Sequence, residues 1–192
     1  MTHILKRINK DVSMMDEHEI EKIWKFRGGG ALEHIELPKD DEIVNALENI
    51  VDNNMIYLLN RVPIEIPLTD TQNKIFPDYI SYKLPIISEK IKNIFDDNKI
   101  DNIYYKPLIL TTGREKHNYW LMCVPFIECF EEIEEDFETM YKLHKEKIGN
   151  YKIFRDISRG PGVIFVTDKI KAVIEKDDSI KGVYFYEDSE EE

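Results

Sequence analysis

The sequence predicts an α+β (or α/β) protein, in which a mixed sheet carries two similar strand-helix-strand units and additional helices. The main observation is a repeat: residues 84–107 and residues 163–187 share one pattern. Each copy has a short apolar run, a stretch with helical spacing, and a second run rich in β-branched and aromatic residues. Such a unit buries the apolar stripe of its helix against a sheet, which is why both helices and strands are expected.

The two copies also match in their expected helix starts. Ser88 aligns with Thr167, and each hydroxyl stands where an N-cap side chain accepts from an unpaired backbone N–H. Glu89 and Asp168 follow, where negative charge favours the positive end of the helix dipole. The apolar positions at helical spacing are Ile87, Ile91, Ile94 and Phe95 in the first copy and Val166, Ile170, Val173 and Ile174 in the second.

Weaker patterns predict the remaining elements. Residues 19–26 and 41–52 have helical spacing, and residues 55–59 and 62–68 have the composition of strands. Pro63 and Pro67 restrict the last of these to a sheet edge or an irregular strand, because proline cannot donate to a ladder. Residues 108–112 and 119–124 are predicted to form a hairpin around Gly113.

The length of 192 residues fits one domain, or two lobes that share a sheet. We expect residues 1–75 to form an N-terminal helix and strand segment packed on the rest. Residues 76–192 would form the domain that contains the repeat. A single domain overall is the alternative.

The formal net charge of −12 argues against a nucleic-acid binder and against an anionic membrane surface as partner. It suits a basic protein partner, although ordinary solubility is an alternative explanation. No stretch approaches the roughly 20 apolar residues of a membrane-spanning helix. The first ten residues lack the apolar core of a secretory signal, so a cytoplasmic protein is expected.

The most acidic internal segment is our candidate surface for binding a partner. Residues 126–144 place aromatic and aliphatic side chains at helical spacing with acids between them, which predicts an amphipathic helix with one negative face. A solvated face without a partner is the alternative. The candidate partner-binding residues are Phe130, Glu131, Glu132, Glu134, Glu135, Asp136 and Glu138.

No motif predicts a catalytic, cofactor or metal site. The five histidines do not form a zinc motif, and His34 with Glu36 is more simply a surface pair. Gly28-Gly29-Gly30 follows a helix-like stretch without the Lys and hydroxyl of a phosphate loop, so a turn is expected. Cys123 and Cys129 are predicted to be core thiols.

Residues 76–187, a little over half of the chain, resemble the MXAN-0049-type immunity domain family of bacterial polymorphic toxin systems. The segments that carry the resemblance are Phe76-Pro-Asp-Tyr-Ile80, Ile86–Lys92, Tyr119–Met122, Phe154-Arg155, Val166–Lys171 and Gly182–Phe185. The acidic, helix-patterned region before Phe154 departs from the family pattern, in which a loop and strands dominate. The resemblance implies a cytoplasmic protein that binds and neutralises a cognate toxin, and it brings no catalytic residues.

Three hypotheses follow. The first is an immunity protein that inhibits a toxin by direct contact. The second is an adaptor for a protein that is not a toxin, which sequence cannot separate from the first. The third is a small enzyme, whose candidate residues near turns are Arg114, His117 and Arg159.

Overall fold

The computed structural model describes residues 22–29, 35, 37–38, 41–68, 76–81, 83–135 and 138–188. Over these residues the chain forms four α-helices and eleven strands in three sheets, a mixed α+β fold as predicted. None of the helices in the described ranges has the length and apolar character needed to cross a membrane.

The helices are α1 (Glu42–Asp52), α2 (Glu89–Asp97), α3 (Lys145–Ile148) and α4 (Asp168–Glu175), with a 3₁₀-helix at Ile56–Leu58. The strands are β1 (Ile23–Gly28), β2 (Ile64–Pro67), β3 (Tyr79–Ile80), β4 (Ile86–Ser88), β5 (Tyr104–Thr112), β6 (Glu115–Cys123), β7 (Phe130–Glu135), β8 (Glu138–Leu143), β9 (Ile153–Arg155), β10 (Ile164–Thr167) and β11 (Val183–Glu187).

The strands form a four-stranded sheet, a five-stranded sheet and a separate hairpin. The four-stranded sheet has the order β11-β1-β10-β9 and is antiparallel throughout. The five-stranded sheet has the order β2-β5-β6-β4-β3, and only β2 runs parallel to its neighbour. The hairpin consists of β7 and β8.

The sequence repeat corresponds to a structural repeat. In the first unit β4, α2 and β5 follow one another, and β6 lies between the two strands, antiparallel to both. In the second unit β10, α4 and β11 follow one another, and β1 takes the place of β6. The short strands β3 and β9 pair with β4 and β10 at equivalent edges. The two units therefore share one topology, although the central strand follows the first unit in the chain and precedes the second.

The N-terminal part of the chain contributes to both sheets. β1 is a central strand of the four-stranded sheet, and β2 is an edge of the five-stranded sheet. The division of the chain at residue 75 stays a prediction.

Three groups of buried apolar residues hold the layers together. The first lies between α1 and one face of the five-stranded sheet and includes Val44, Leu47 and Leu121. The second holds α2 and α4 between the two sheets and includes Ile91 and Ile170, both fully buried. The third lies between the other face of the four-stranded sheet and the hairpin. Each repeat thus buries its helix stripe, as the spacing predicted.

Several weaker predictions are also confirmed. α1 occupies the predicted helix at residues 41–52, β2 is a sheet edge, and β5 and β6 form the hairpin around Gly113. Tertiary packing overturns two others. The predicted helix at residues 19–26 is wrong where the structure describes it, because Ile23, Trp24 and Phe26 belong to the central strand β1. The predicted strand at residues 55–59 is a 3₁₀-helix.

The predicted helix at residues 126–144 is also wrong. Residues 130–135 and 138–143 pair as the hairpin instead, with Glu131 opposite Lys142 and Ile133 opposite Met140. Glutamates spaced three and four residues apart would repel one another on a helix, whereas the hairpin sets Glu131 across from a lysine. This cross-strand pair favours the hairpin, although Glu135 and Glu138 face one another next to its turn.

Candidate partner-binding surfaces

The hairpin β7–β8, which we call the acidic hairpin, carries most of the candidate residues predicted from the sequence. Glu131, Glu132 and Glu134 are exposed to solvent. Glu135 and Glu138 lie opposite one another next to the turn, and Asp136 lies outside the described residues. Phe130 is only 8% exposed and packs on Phe165, with ring centroids 5.1 Å apart, so it serves the core and offers a partner little surface.

A buried carboxylate fixes the start of the acidic hairpin. The Asp156 carboxylate accepts from the backbone N–H groups of Cys129 and Phe130 at 2.7 and 2.9 Å, and from the N–H and hydroxyl of Ser158 at 2.9 and 2.6 Å. Burial opposes its ionisation, but these hydrogen bonds outweigh burial and lower the pKa of Asp156. The hairpin therefore leaves the body of the protein at a fixed point.

His144 directly follows β8 at the same end of the hairpin, where its N–H donates to the Cys129 oxygen at 2.7 Å, and its ring lies between two carboxylates. Its Nε2 is 2.9 Å from Glu131 and its Nδ1 is 3.1 Å from Glu146. The hydrogen bond from His144 lowers the pKa of Glu131, and the backbone N–H of Glu146 lowers that of Glu146. Both glutamates thus stay ionised. The arrangement suits long-range attraction of a positive partner, but the described side chains of the hairpin include no exposed apolar anchor of the kind that dominates binding energy.

An apolar groove beside α1, the helix that packs on one face of the five-stranded sheet, supplies such anchors. It has a volume of about 420 Å³ and lies between α1 and the segment that leads from the 3₁₀-helix into β2. The residues that line it are Glu42, Ile43, Ala46, Leu47, Ile50, Leu58, Leu59, Asn60, Ile64 and Lys106. We call this surface the α1 groove.

Large apolar side chains are unusually exposed at and beside the α1 groove. Ile43 is 45% exposed and Leu58 is 57% exposed, and both line it. Tyr57, which precedes the lining residue Leu58, is 79% exposed. Val62, between the lining residues Asn60 and Ile64, is 65% exposed. Single exposed apolar residues are ordinary, whereas a cluster around a concavity is typical of an interaction site.

A buried lysine holds one wall of the α1 groove. The Lys106 ammonium group donates to the backbone oxygen and the side-chain oxygen of Asn60, both at 2.8 Å, and to the backbone oxygen of Val62. Burial lowers the pKa of Lys106. All three donors of the ammonium form are used, so this lysine positions the loop and has no donor left for a ligand.

Helical spacing predicts α1 but does not show which of its apolar residues stay uncovered, so the α1 groove was not predicted from the sequence. Val44, Leu47 and Val51 are buried in the core, whereas Ile43 and Ile50 are not and line the groove together with Leu47. The signal was present, since apolar residues occupy more of the helix circumference than a single buried face requires. Sequence spacing shows this width but not which side is covered.

Of the residues of the enzyme hypothesis, two belong to the β5–β6 hairpin of the five-stranded sheet and one to the four-stranded sheet. His117 is in β6 and stacks on Phe76 with ring centroids 3.7 Å apart. Arg159 lies between β9 and β10, pairs with Asp188 at 2.8 Å and stacks on Tyr141. Arg114 is exposed in the turn between β5 and β6. Each has a local structural contact or a turn position, and Arg159 belongs to a different sheet from Arg114 and His117.

The remaining candidate groups also have structural surroundings. Cys123 and Cys129 are buried, as predicted, and burial is the main cause that raises their pKa values to about 11 and about 12. Gly28 is part of β1, so it does not belong to the turn predicted for the glycine run. His34 and Glu36 lie outside the described residues, and within the described ranges no three His, Cys, Asp or Glu residues cluster as a metal site.

Comparison with known proteins identifies no family for this chain. No protein-family model matches the sequence, and no curated protein matches it either.

Proposed function

We propose that this chain is a cytoplasmic immunity-type protein, which neutralises a cognate toxin domain by direct contact. The observation that carries the proposal is the α1 groove, where exposed Ile43 and Leu58 surround a concavity with a fixed wall. Interface energy is concentrated in such apolar pockets, and an interface of standard size buries roughly 800 Å² on each partner.

Charge indicates the kind of partner that fits. The segment Asp41–Asp52 contains four acids, Asp41, Glu42, Glu48 and Asp52, and no basic residue. The whole chain carries a formal charge of −12. A toxin surface with an apolar protrusion ringed by lysine or arginine would complement the α1 groove, and the acidic hairpin would increase the rate of encounter.

The arrangement of the family-like segments supports the same function. Two of the segments that resemble the immunity family, Ile86–Lys92 and Val166–Lys171, occupy equivalent strand-to-helix junctions of the two units. The region before Phe154 contains the strands β7 and β8, which is the type of structure that the resemblance implies there.

The test is co-expression with the toxin encoded by the gene immediately upstream. Wild-type protein should restore growth and co-elute with the toxin. Ile43→Asp places a charge in the groove, at an exposed position in the first turn of α1 where an acid does not disturb the helix. This variant should fold normally and lose both protection and co-elution.

The matched control is Ile157→Asp, because Ile157 is 68% exposed and lies in the turn between β9 and β10. It should protect as well as wild type. If wild-type protein does not relieve the toxicity and forms no complex on size exclusion, this toxin is not the partner of the protein. Full protection by Ile43→Asp would refute the groove as the contact surface.

A further inference from the structure

The edge strand β11 has a regular alternation of inward and outward backbone groups. Gly29 N–H donates to the Gly182 oxygen at 2.9 Å, and Asp188 N–H donates to the Ile23 oxygen at 3.3 Å. In an antiparallel ladder, every second residue bonds to the same neighbour. Tyr184 and Tyr186 therefore direct their backbone groups to β1, whereas Val183, Phe185 and Glu187 direct theirs away from the sheet.

The other three edges of the two larger sheets are protected in the ways that natural sheets use. β2 contains Pro67, which has no N–H to offer. β3 is two residues long and lies under the backbone of Gly28. β9 already uses its outer side, because Arg155 donates to Pro125 at 2.9 Å and accepts from Ile127 at 2.8 Å.

The first unit shows what covers the equivalent edge there. β5 corresponds to β11, and its outer edge is lined by the chain from Leu59 to Pro67. The Tyr104 hydroxyl donates to the Leu59 oxygen at 3.0 Å, Lys106 binds Asn60, and β2 pairs in parallel with the end of β5. In the second unit, the described residues pair no strand with the outer edge of β11.

We propose that β11 binds an extended segment of the toxin as an added strand. The inference rests on the proposed function and gives the toxin a second contact. The segment pairs with the outward groups of Val183, Phe185 and Glu187, and main-chain hydrogen bonds of this kind give affinity with little dependence on sequence. A basic segment suits the formal charge of −12 that this chain carries.

A second copy of this chain fits the edge less well. Two copies would each bring a formal charge of −12 to the same interface, and like charges oppose association. A toxin segment with positive charge avoids that repulsion.

Residue-resolved amide hydrogen exchange by NMR tests the proposal with the upstream-encoded toxin as probe. In the free protein, the amides of Val183, Phe185 and Glu187 should exchange at least ten times faster than those of Tyr184 and Tyr186. In the complex, all five should be protected. Slow exchange of the outward amides in the free protein would overturn the proposal. This holds both for protection that depends on protein concentration, which indicates self-association, and for protection that does not.

A proline variant tests the same edge through affinity. Glu187→Pro removes an outward N–H at a position where an edge strand tolerates proline. Glu187→Ala is the matched control, since it also removes the ion pair with Lys22 but keeps the N–H. Toxin affinity should fall at least ten-fold for Glu187→Pro relative to Glu187→Ala.

The outcomes separate this inference from the proposed function. Toxin that binds with equal affinity to both variants, without protection of the outward amides, overturns strand addition and leaves the proposed function standing. Toxin that does not bind wild-type protein at all overturns the proposed function and this inference with it.

Discussion

Gly28 in β1 lies directly against the backbone of Tyr79 in β3, so that a Cβ on residue 28 would overlap the Tyr79 carbonyl oxygen. The Ser81 hydroxyl lies 3.1 Å from the Gly28 N–H and 3.2 Å from its oxygen, and thus closes the same junction. Next to it the rings of Phe26 and Tyr79 stack with centroids 4.1 Å apart. The two sheets therefore meet at a point where only glycine fits.

Replacing Gly28 by alanine should lower the free energy of unfolding by about 1–3 kcal/mol, since the overlapping atoms are backbone and cannot rotate away. Urea denaturation measures the change. Gly162→Ala is the control, because a Cβ there meets nothing within 4 Å. Equal stability of the two variants would show that the sheets separate at this junction without cost.

The Lys106 ammonium group should matter for the α1 groove because it holds the loop at Asn60 and Val62. Lys106→Met leaves these buried oxygens without their donor, at a cost of about 1–3 kcal/mol. Amide exchange in residues 60–64 should also become faster. Lys116→Met, which removes only an exposed ion pair with Glu65, should leave both measurements unchanged. Similar behaviour of the two variants would show that Lys106 does not hold the loop.

Stability should fall at alkaline pH because both cysteines are buried. Burial raises the pKa of Cys123 from 9.0 to about 11 and is the main cause that raises that of Cys129 to about 12. Below about pH 8 both states hold protonated thiols, so the thiols add no pH dependence. Above it the unfolded chain ionises first, and each thiol lowers the free energy of unfolding by about 2 kcal/mol at about pH 10.5.

Urea midpoints at neutral pH and at about pH 10.5 measure this effect, and Cys129→Ala should show the smaller decrease. At about pH 8, both thiols of the native protein should react slowly with an aromatic disulfide and quickly after unfolding. Rapid reaction of Cys129 in the native protein would mean that the third group of buried apolar residues, behind the acidic hairpin, opens readily, and rapid reaction of Cys123 would mean the same of the first group.

The acidic hairpin should affect the rate of toxin binding more than the stability of the complex. Glu132 and Glu134 are exposed, and exposed charges act at long range. Reversing both to lysine should slow association about ten-fold at low salt. The difference should shrink at physiological salt, where screening limits the reach of charges to roughly 8 Å.

Asp97→Lys combined with Asp101→Lys is the matched control for this experiment. It changes the net charge equally, at exposed positions at and just after the end of α2. Stopped-flow association rates compare the two pairs. Equal slowing by both pairs of substitutions would assign the effect to the overall charge. If the hairpin substitutions do not slow association, its acids are only a solvated surface.

The repeat was predictable because its information is local. Caps, helix stripe and flanking β-branched runs lie within about 25 residues in each copy, and they specify the same junctions in the structure. The central strand of the second unit was not predictable. It is β1, Ile23–Gly28, which pairs with β10 across more than 130 residues of sequence, whereas the first unit uses the nearby β6. Pairing at such separations depends on the whole sheet.

The acidic hairpin and the α1 groove show two further limits of sequence analysis. Helical spacing in residues 126–144 coexists with complementary strand pairs such as Glu131 and Lys142, and only the partner strand decides between them. In α1, the spacing of Ile43 and Ile50 reveals apolar residues, but their exposure depends on what the rest of the fold leaves uncovered. The candidate acids were thus found, whereas the apolar anchors were not.

The two aligned cap residues should respond differently to mutation, although the sequence predicted the same role for both. The Ser88 hydroxyl accepts from the Ile91 N–H at 3.5 Å, while the Thr167 hydroxyl is buried and has no hydrogen-bond partner. Ser88→Ala should therefore cost about 1 kcal/mol of stability. Thr167→Val should be neutral or stabilising, because it replaces an unsatisfied buried hydroxyl by a methyl group of similar size. Urea midpoints of the two variants and of wild type decide the matter, and a loss at Thr167 as large as at Ser88 would show that its hydroxyl caps α4 in solution.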